Sequence, residues 1–126
     1  MMTTPQSDPP IRVERHGTVA VLTPSPEAPG LAERPLEQAA TAVLTPLAAV
    51  PPAGIVMDLT ELDYFGSRFI GFLIRCHQLI KESGGRMVLV GASARVRELL
   101  RLSALDGLWP FYQEVGKAVQ ALTSTA

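Results

Sequence analysis

Three short apolar runs constrain this chain more than any other feature: Val19 to Leu22, Ile55 to Leu59 with Asp58 as the one polar position, and Met87 to Val90. Each is too short for an ordinary helix and lacks the polar alternation of a half-exposed strand, which is the pattern of strands covered on both faces. The segments between them carry apolar residues at steps of three and four, the helical period. Strands joined through helices lie parallel, because a parallel pair needs a long crossover. The sequence therefore predicts an α/β fold: a mixed, mostly parallel central sheet of about five strands with about four helices.

The remaining elements follow from local pattern and punctuation. Ile11, Val13 and Arg15 alternate with Arg12, Glu14 and His16, and Gly17 breaks the run, so an edge strand pairs with the more central Val19 strand. Thr23 to Gly30 holds three prolines and a glycine and reads as a loop. A helix is expected over about Glu33 to Leu47, with Leu36, Ala39, Ala40, Val43, Leu44 and Leu47 at three- and four-residue spacing; Pro35 suits its first turn, whereas Pro46 should stop or kink it near Leu44. The clearest helix runs from Ser67 to Ser83, closed by a left-handed cap at Gly84 and Gly85. Another opens after Ser93 and carries Val96, Leu99, Leu100 and Leu102 inward, a short strand is expected over Leu108 to Tyr112, and a final helix over Glu114 to Leu122. Residues 1–10 read as a disordered tail, 11–122 as one domain and 123–126 as a second tail.

Composition excludes several classes of function. The chain has 126 residues, with 11 Lys and Arg against 12 Asp and Glu. A net charge of −1 is unsuited to nucleic acid or to an anionic membrane, both of which call for surplus cations on one face. No stretch approaches the roughly 18 apolar residues of a membrane span, and the first residues lack a signal-peptide pattern. Cys76 is the single cysteine, which rules out an internal disulfide and a Cys-rich zinc site and fits a reducing, cytoplasmic setting.

Nothing assigns a catalytic residue, cofactor or metal. The chain has no Gly-rich phosphate loop and no signature pairing His with Cys or Ser. His16 and His77 read as surface or packing residues, and Cys76 as a buried apolar one. Asp58 and Asp63 bracket the end of the third strand, but turn formation explains Asp63 as well as a cation would.

The helix from Ser67 is the most informative segment. Arg68, Gly71, Arg75, Gln78 and Glu82 fall on one polar stripe, and Phe69, Leu73, Cys76 and Ile80 lie opposite, toward the core. Phe72 and Leu79 flank the stripe, either as partly exposed anchors for another protein or packed beneath a neighbouring element. Ser67 is expected at the N-cap, where its hydroxyl accepts a backbone amide; the same place favours a phosphate, since open amides and the positive end of the helix dipole stabilise negative charge. Gly66 beside it permits a positive-φ turn.

The run Ile55-Val-Met-Asp-Leu-Thr, then Leu62-Asp-Tyr-Phe-Gly-Ser and a long apolar helix, resembles the STAS domain shared by anti-sigma factor antagonists and sulphate transporters. Gly84-Gly-Arg-Met-Val-Leu-Val-Gly, Val96-Arg-Glu-Leu-Leu-Arg-Leu and Ala104-Leu-Asp-Gly-Leu-Trp-Pro-Phe-Tyr continue the likeness over about Ile11 to Leu122. The resemblance implies a noncatalytic regulatory module, with Ser67 as phosphoacceptor for a partner that is both anti-sigma factor and serine kinase. Asp63, Tyr64, Gly66, Arg68, Gly71, Phe72, Arg75 and Leu79 are then the expected partner-binding residues. The usual acceptor signature is Asp-Ser-Ser or Asp-Ser-Thr followed by Gly, whereas this chain has Gly66, Ser67, Arg68 and Phe69. That departure leaves three readings: a switch with a variant site, a constitutive antagonist, or a scaffold or small-molecule sensor whose partner is no kinase. The oligomeric state is open, a homo-oligomer included.

Overall fold

A computed structural model describes residues 9–123 of the chain. Five strands, β1 (Ile11–His16), β2 (Val19–Pro24), β3 (Gly54–Asp58), β4 (Arg86–Val90) and β5 (Phe111–Tyr112), form one sheet in sequence order. The β1 and β2 pair is antiparallel and the other three pairings are parallel. Helices α1 (Glu33–Ala49), α2 (Ser67–Glu82) and α3 (Ala94–Leu102) supply the three crossovers, and α4 (Val115–Thr123) follows the last strand. Crossovers between parallel strands are right-handed, so a sheet built in sequence order places all three connecting helices on one face.

The strand side chains divide accordingly. Ala20, Leu22, Ile55, Met57, Met87 and Leu89 point into the larger core beneath α1, α2 and α3. Their neighbours Val19, Val21, Val56, Val88 and Val90 form a second core against Ala118 of α4. Coverage on both faces is the physical reason for unbroken apolar runs in the middle strands.

Strand β1 is the expected edge strand, with only Ile11 buried and Val13 42% exposed. Several expectations are corrected. Helix α1 passes Pro46 and ends at Ala49; the proline stands in the last turn, where one missing amide costs a single bond, and the Val50 amide still donates to the Pro46 carbonyl at 3.1 Å. Leu102 is 69% exposed, since α3 ends there and the next residues turn away. The strand expected over Leu108 to Tyr112 shrinks to Phe111–Tyr112, and the loop after β2 contains a single 3₁₀ turn, Ala28–Gly30.

The ends of α2 and β4 are where glycine is required. Gly84 has φ +87°; its amide donates to the Lys81 carbonyl at 3.0 Å, and that of Gly85 to Ile80 at 2.9 Å. This pair of bonds closes α2 as a Schellman motif. Gly91, with φ +72°, ends β4 so close to the β3–α2 connection that a Cβ would stand 2.0 Å from Thr60 Oγ1. Of the expected tails, Pro10 already holds the Ser25 amide at 2.8 Å and Thr123 belongs to α4; residues 1–8 and 124–126 lie outside the described residues.

Candidate functional site

The connection Leu59 to Gly66 delivers Ser67 to the surface beyond the carboxyl end of β3, and three apolar residues fix its path. Leu59, Leu62 and Phe65 are buried, while Glu61, Asp63 and Tyr64 between them face solvent. The Leu59 amide donates to the Val90 carbonyl at 2.8 Å, tying the connection to β4. Asp58 Oδ1 accepts both the Thr60 amide, at 3.0 Å, and the Thr60 hydroxyl, at 2.5 Å. That carboxylate is engaged in a turn. Asp63 pairs with Arg95 of α3 at 3.7 Å, so the two aspartates serve separate local contacts.

Phe65 then stacks on Phe69 with ring centroids 5.7 Å apart, and Phe69 on Phe72, also at 5.7 Å. The ladder sets the angle at which the chain enters α2, a task that a hydrophobic contact across a helix N-terminus performs elsewhere. Its signal is present in the sequence as aromatics at positions i, i+4 and i+7.

Two expectations about the helix entrance are corrected. Gly66, not Ser67, is the N-cap: it is extended at φ −111° and ψ −168°, and its carbonyl accepts the Ile70 amide at 3.1 Å, the first bond of the helix. Nor does Gly66 adopt positive φ. A Cβ there would stand 3.6 Å from the Tyr64 hydroxyl, an ordinary contact, so backbone sterics do not demand glycine. Ser67 is the first helical residue, exposed, and no side-chain hydrogen bond caps α2 among the described residues.

Around this hydroxyl the surface is continuous. An open hollow of ≈ 360 Å³ lies between the Pro29–Leu31 turn and Tyr64, Gly66, Ser67 and Arg68. A groove of ≈ 250 Å³ continues from it between α1 and α2, with Arg68, Gly71 and Arg75 on one wall and Glu33 and Glu37 on the other. Arg75 bridges to Glu37 at 2.9 Å across the two helices. Arg68 makes no ion pair among the described residues and is the cation nearest Ser67 in sequence. A Cβ on Gly71 would meet nothing within 4 Å, so packing inside the chain does not require a glycine there.

The expected partner-binding residues thus separate into two groups. Asp63, Tyr64, Arg68 and Arg75 are exposed and Gly66 and Gly71 half-buried, all near Ser67 or along the groove. Phe72 is 2% exposed and lies in the main core, because α1 packs over that flank of α2, and it is no surface anchor. Leu79 is half-buried against the same core. Cys76 is buried, and loss of water pushes its thiol up to about 12 despite the lowering influence of Arg75, which leaves it without thiolate reactivity.

Comparison with known proteins agrees with this architecture. Residues 12–118 match the STAS domain. The anti-sigma-factor antagonist (STAS) domain protein from Planctomyces limnophilus is 31% identical, its structure superposing with a TM-score of 0.77 over 90% of this chain and 98% of that one. The unphosphorylated form of the anti-sigma factor antagonist SpoIIAA is 17% identical, with a TM-score of 0.77 over 92% of this chain and 98% of that one. The phosphorylated form of SpoIIAA, the Bacillus cell fate determinant, is 18% identical, with a TM-score of 0.68 over 89% and 98%. A search of curated proteins gives no match. The fold is that of a small α/β domain with a mixed five-stranded sheet. The chain belongs to the STAS domain family, with its likeness on the anti-sigma factor antagonist side.

Proposed function

We propose that this protein is a noncatalytic antagonist module that docks through the α2 entrance onto a cytoplasmic anti-sigma factor with serine kinase activity, and that phosphorylation of Ser67 releases it. The observation that carries this reading is the Ser67 hydroxyl, exposed at the first position of α2 and unused in capping it. A kinase needs a hydroxyl it can reach without unfolding the acceptor, and this one costs the fold nothing to surrender. The likeness to an antagonist from Planctomyces limnophilus and to SpoIIAA, known in both phosphorylation states, supports the same reading.

Arg68 replaces the small residue of the usual signature and gives the site its own electrostatics. A guanidinium one residue after the phosphoserine supplies charge-assisted hydrogen bonds, and the first-turn amides of α2 add the positive end of the helix dipole. The phosphorylated state is thereby stabilised locally, while a dianion inside a protein interface is costly to desolvate. Asp63, Tyr64, Gly66, Arg68, Gly71 and Arg75 make up the docking surface; Leu79 contributes at its half-buried margin, and Phe72 supports it from below.

The test is affinity for the copurifying kinase-like partner by calorimetry. Ser67→Ala should bind as the wild type does, and Ser67→Asp should bind at least about tenfold more weakly, 1.4 kcal/mol. Equal affinity of the two variants would refute the switch.

A further inference from the structure

A separate cavity, of ≈ 220 Å³, opens at the far end of α2. His77 and Lys81, which line it, stand ten and fourteen residues after Ser67, about 15 and 21 Å along the helix axis. Met87, Leu108, Trp109 and Pro110 form apolar walls, and Arg86 at the start of β4 completes a basic rim with Lys81. Among the described residues, no acidic one lines the cavity.

The polar groups here have an unusual balance. Trp109 Nε1 donates to His77 Nδ1 at 3.1 Å, with the two rings edge to face at 73°. Nδ1 is thus the acceptor, so the neutral imidazole carries its proton on Nε2 and offers a donor there. Lys81 makes no ion pair among the described residues, and Arg86 reaches only a backbone carbonyl, that of Ala121, at 3.3 Å. The carbonyls of Ile80 and Lys81, which would otherwise draw cations to the end of α2, already accept the amides of Gly85 and Gly84. His77, Lys81 and Arg86 thus line an apolar pocket with no carboxylate among its described lining residues.

We propose that this cavity binds a small amphipathic carboxylate, with a flat apolar body against Trp109, Met87 and Pro110 and its anionic end at Lys81 and Arg86. The volume is below the roughly 300–1,000 Å³ of drug-sized ligand sites and limits the body to one ring or a short chain. The site is independent of Ser67 and of any partner, and its success or failure leaves the switch reading untouched.

Trp109 is the only tryptophan in the chain, so its fluorescence reports on this cavity alone. The full-length protein is titrated with 3-phenylpropionate and, as the cationic counterpart of the same shape, 3-phenylpropylamine. The expected result is a saturable change in emission with the carboxylate, at a Kd of about 1 mM or tighter, and none with the amine. Lys81→Gln, an exposed position that leaves the core untouched, should weaken carboxylate binding at least fivefold with an unchanged far-UV spectrum. Absence of saturation, equal response to acid and amine, or full affinity in Lys81→Gln overturns the proposal. The Trp109 indole N–H resonance gives an independent reading: it should move with 3-phenylpropionate and stay with 3-phenylpropylamine, and the reverse counts against the site.

Discussion

The entrances of α2 and α3 each place a serine at the mouth of a helix, and the two are used differently. Ser93 is the N-cap of α3, extended at φ −67° and ψ 167°, and its hydroxyl accepts the Val96 amide at 3.1 Å. Ser67 sits one position further in, after a glycine cap, and its hydroxyl caps nothing. The entrance of α3 is held by a hydrogen bond, that of α2 by the Phe65, Phe69 and Phe72 ladder. A hydroxyl that closes a helix is occupied by the fold; one relieved of that task by aromatic packing is free to be modified without loss of structure.

Four substitutions test this account, beginning with the largest effect. Phe65→Ala removes the first rung of the ladder, a buried ring, and should cost about 3–5 kcal/mol in urea unfolding, the range for large core truncations. A loss under about 1 kcal/mol would mean that the ladder does not hold the α2 entrance. Ser93→Ala and Ser67→Ala form a matched pair: the first should cost about 1 kcal/mol through the lost cap and the second less than about 0.5 kcal/mol. Equal costs would erase the distinction between the two serines. Gly71→Ala should work in the opposite sense, stabilising the free protein by about 0.5–1 kcal/mol, because a glycine inside a helix is costly and nothing in the chain crowds its Cβ. Thermal unfolding measures that gain; the same variant should bind the partner more weakly if the α1–α2 groove is where the partner's surface comes close.

Much of this architecture was legible in the residues. The apolar runs, the helical spacing between them and the Gly84-Gly85 stop led to a mixed, mostly parallel sheet of five strands and to α2 within one residue of its end. The sequence also brought Ser67, Arg68, Gly71 and Arg75 to one surface, because spacing on a single helix dictates which side chains are neighbours. The N-cap was misread because serine is a stronger capping residue than glycine by type, while the cap itself is decided by backbone angles that only the packed connection imposes. Both readings of Phe72 stood in the sequence for a related reason: an angular plot of one helix cannot show that α1 covers its flank. The Trp109 to His77 contact joins residues 32 positions apart and had no local signature at all.

The central claim is that the free hydroxyl at the α2 entrance carries the regulatory state of this domain. Phosphopeptide mass spectrometry of the protein purified from its native cells, sampled across growth states, tests it most directly. A Ser67 phosphopeptide whose occupancy changes between states is the predicted result; full coverage of that peptide with no phosphate in any state would contradict it.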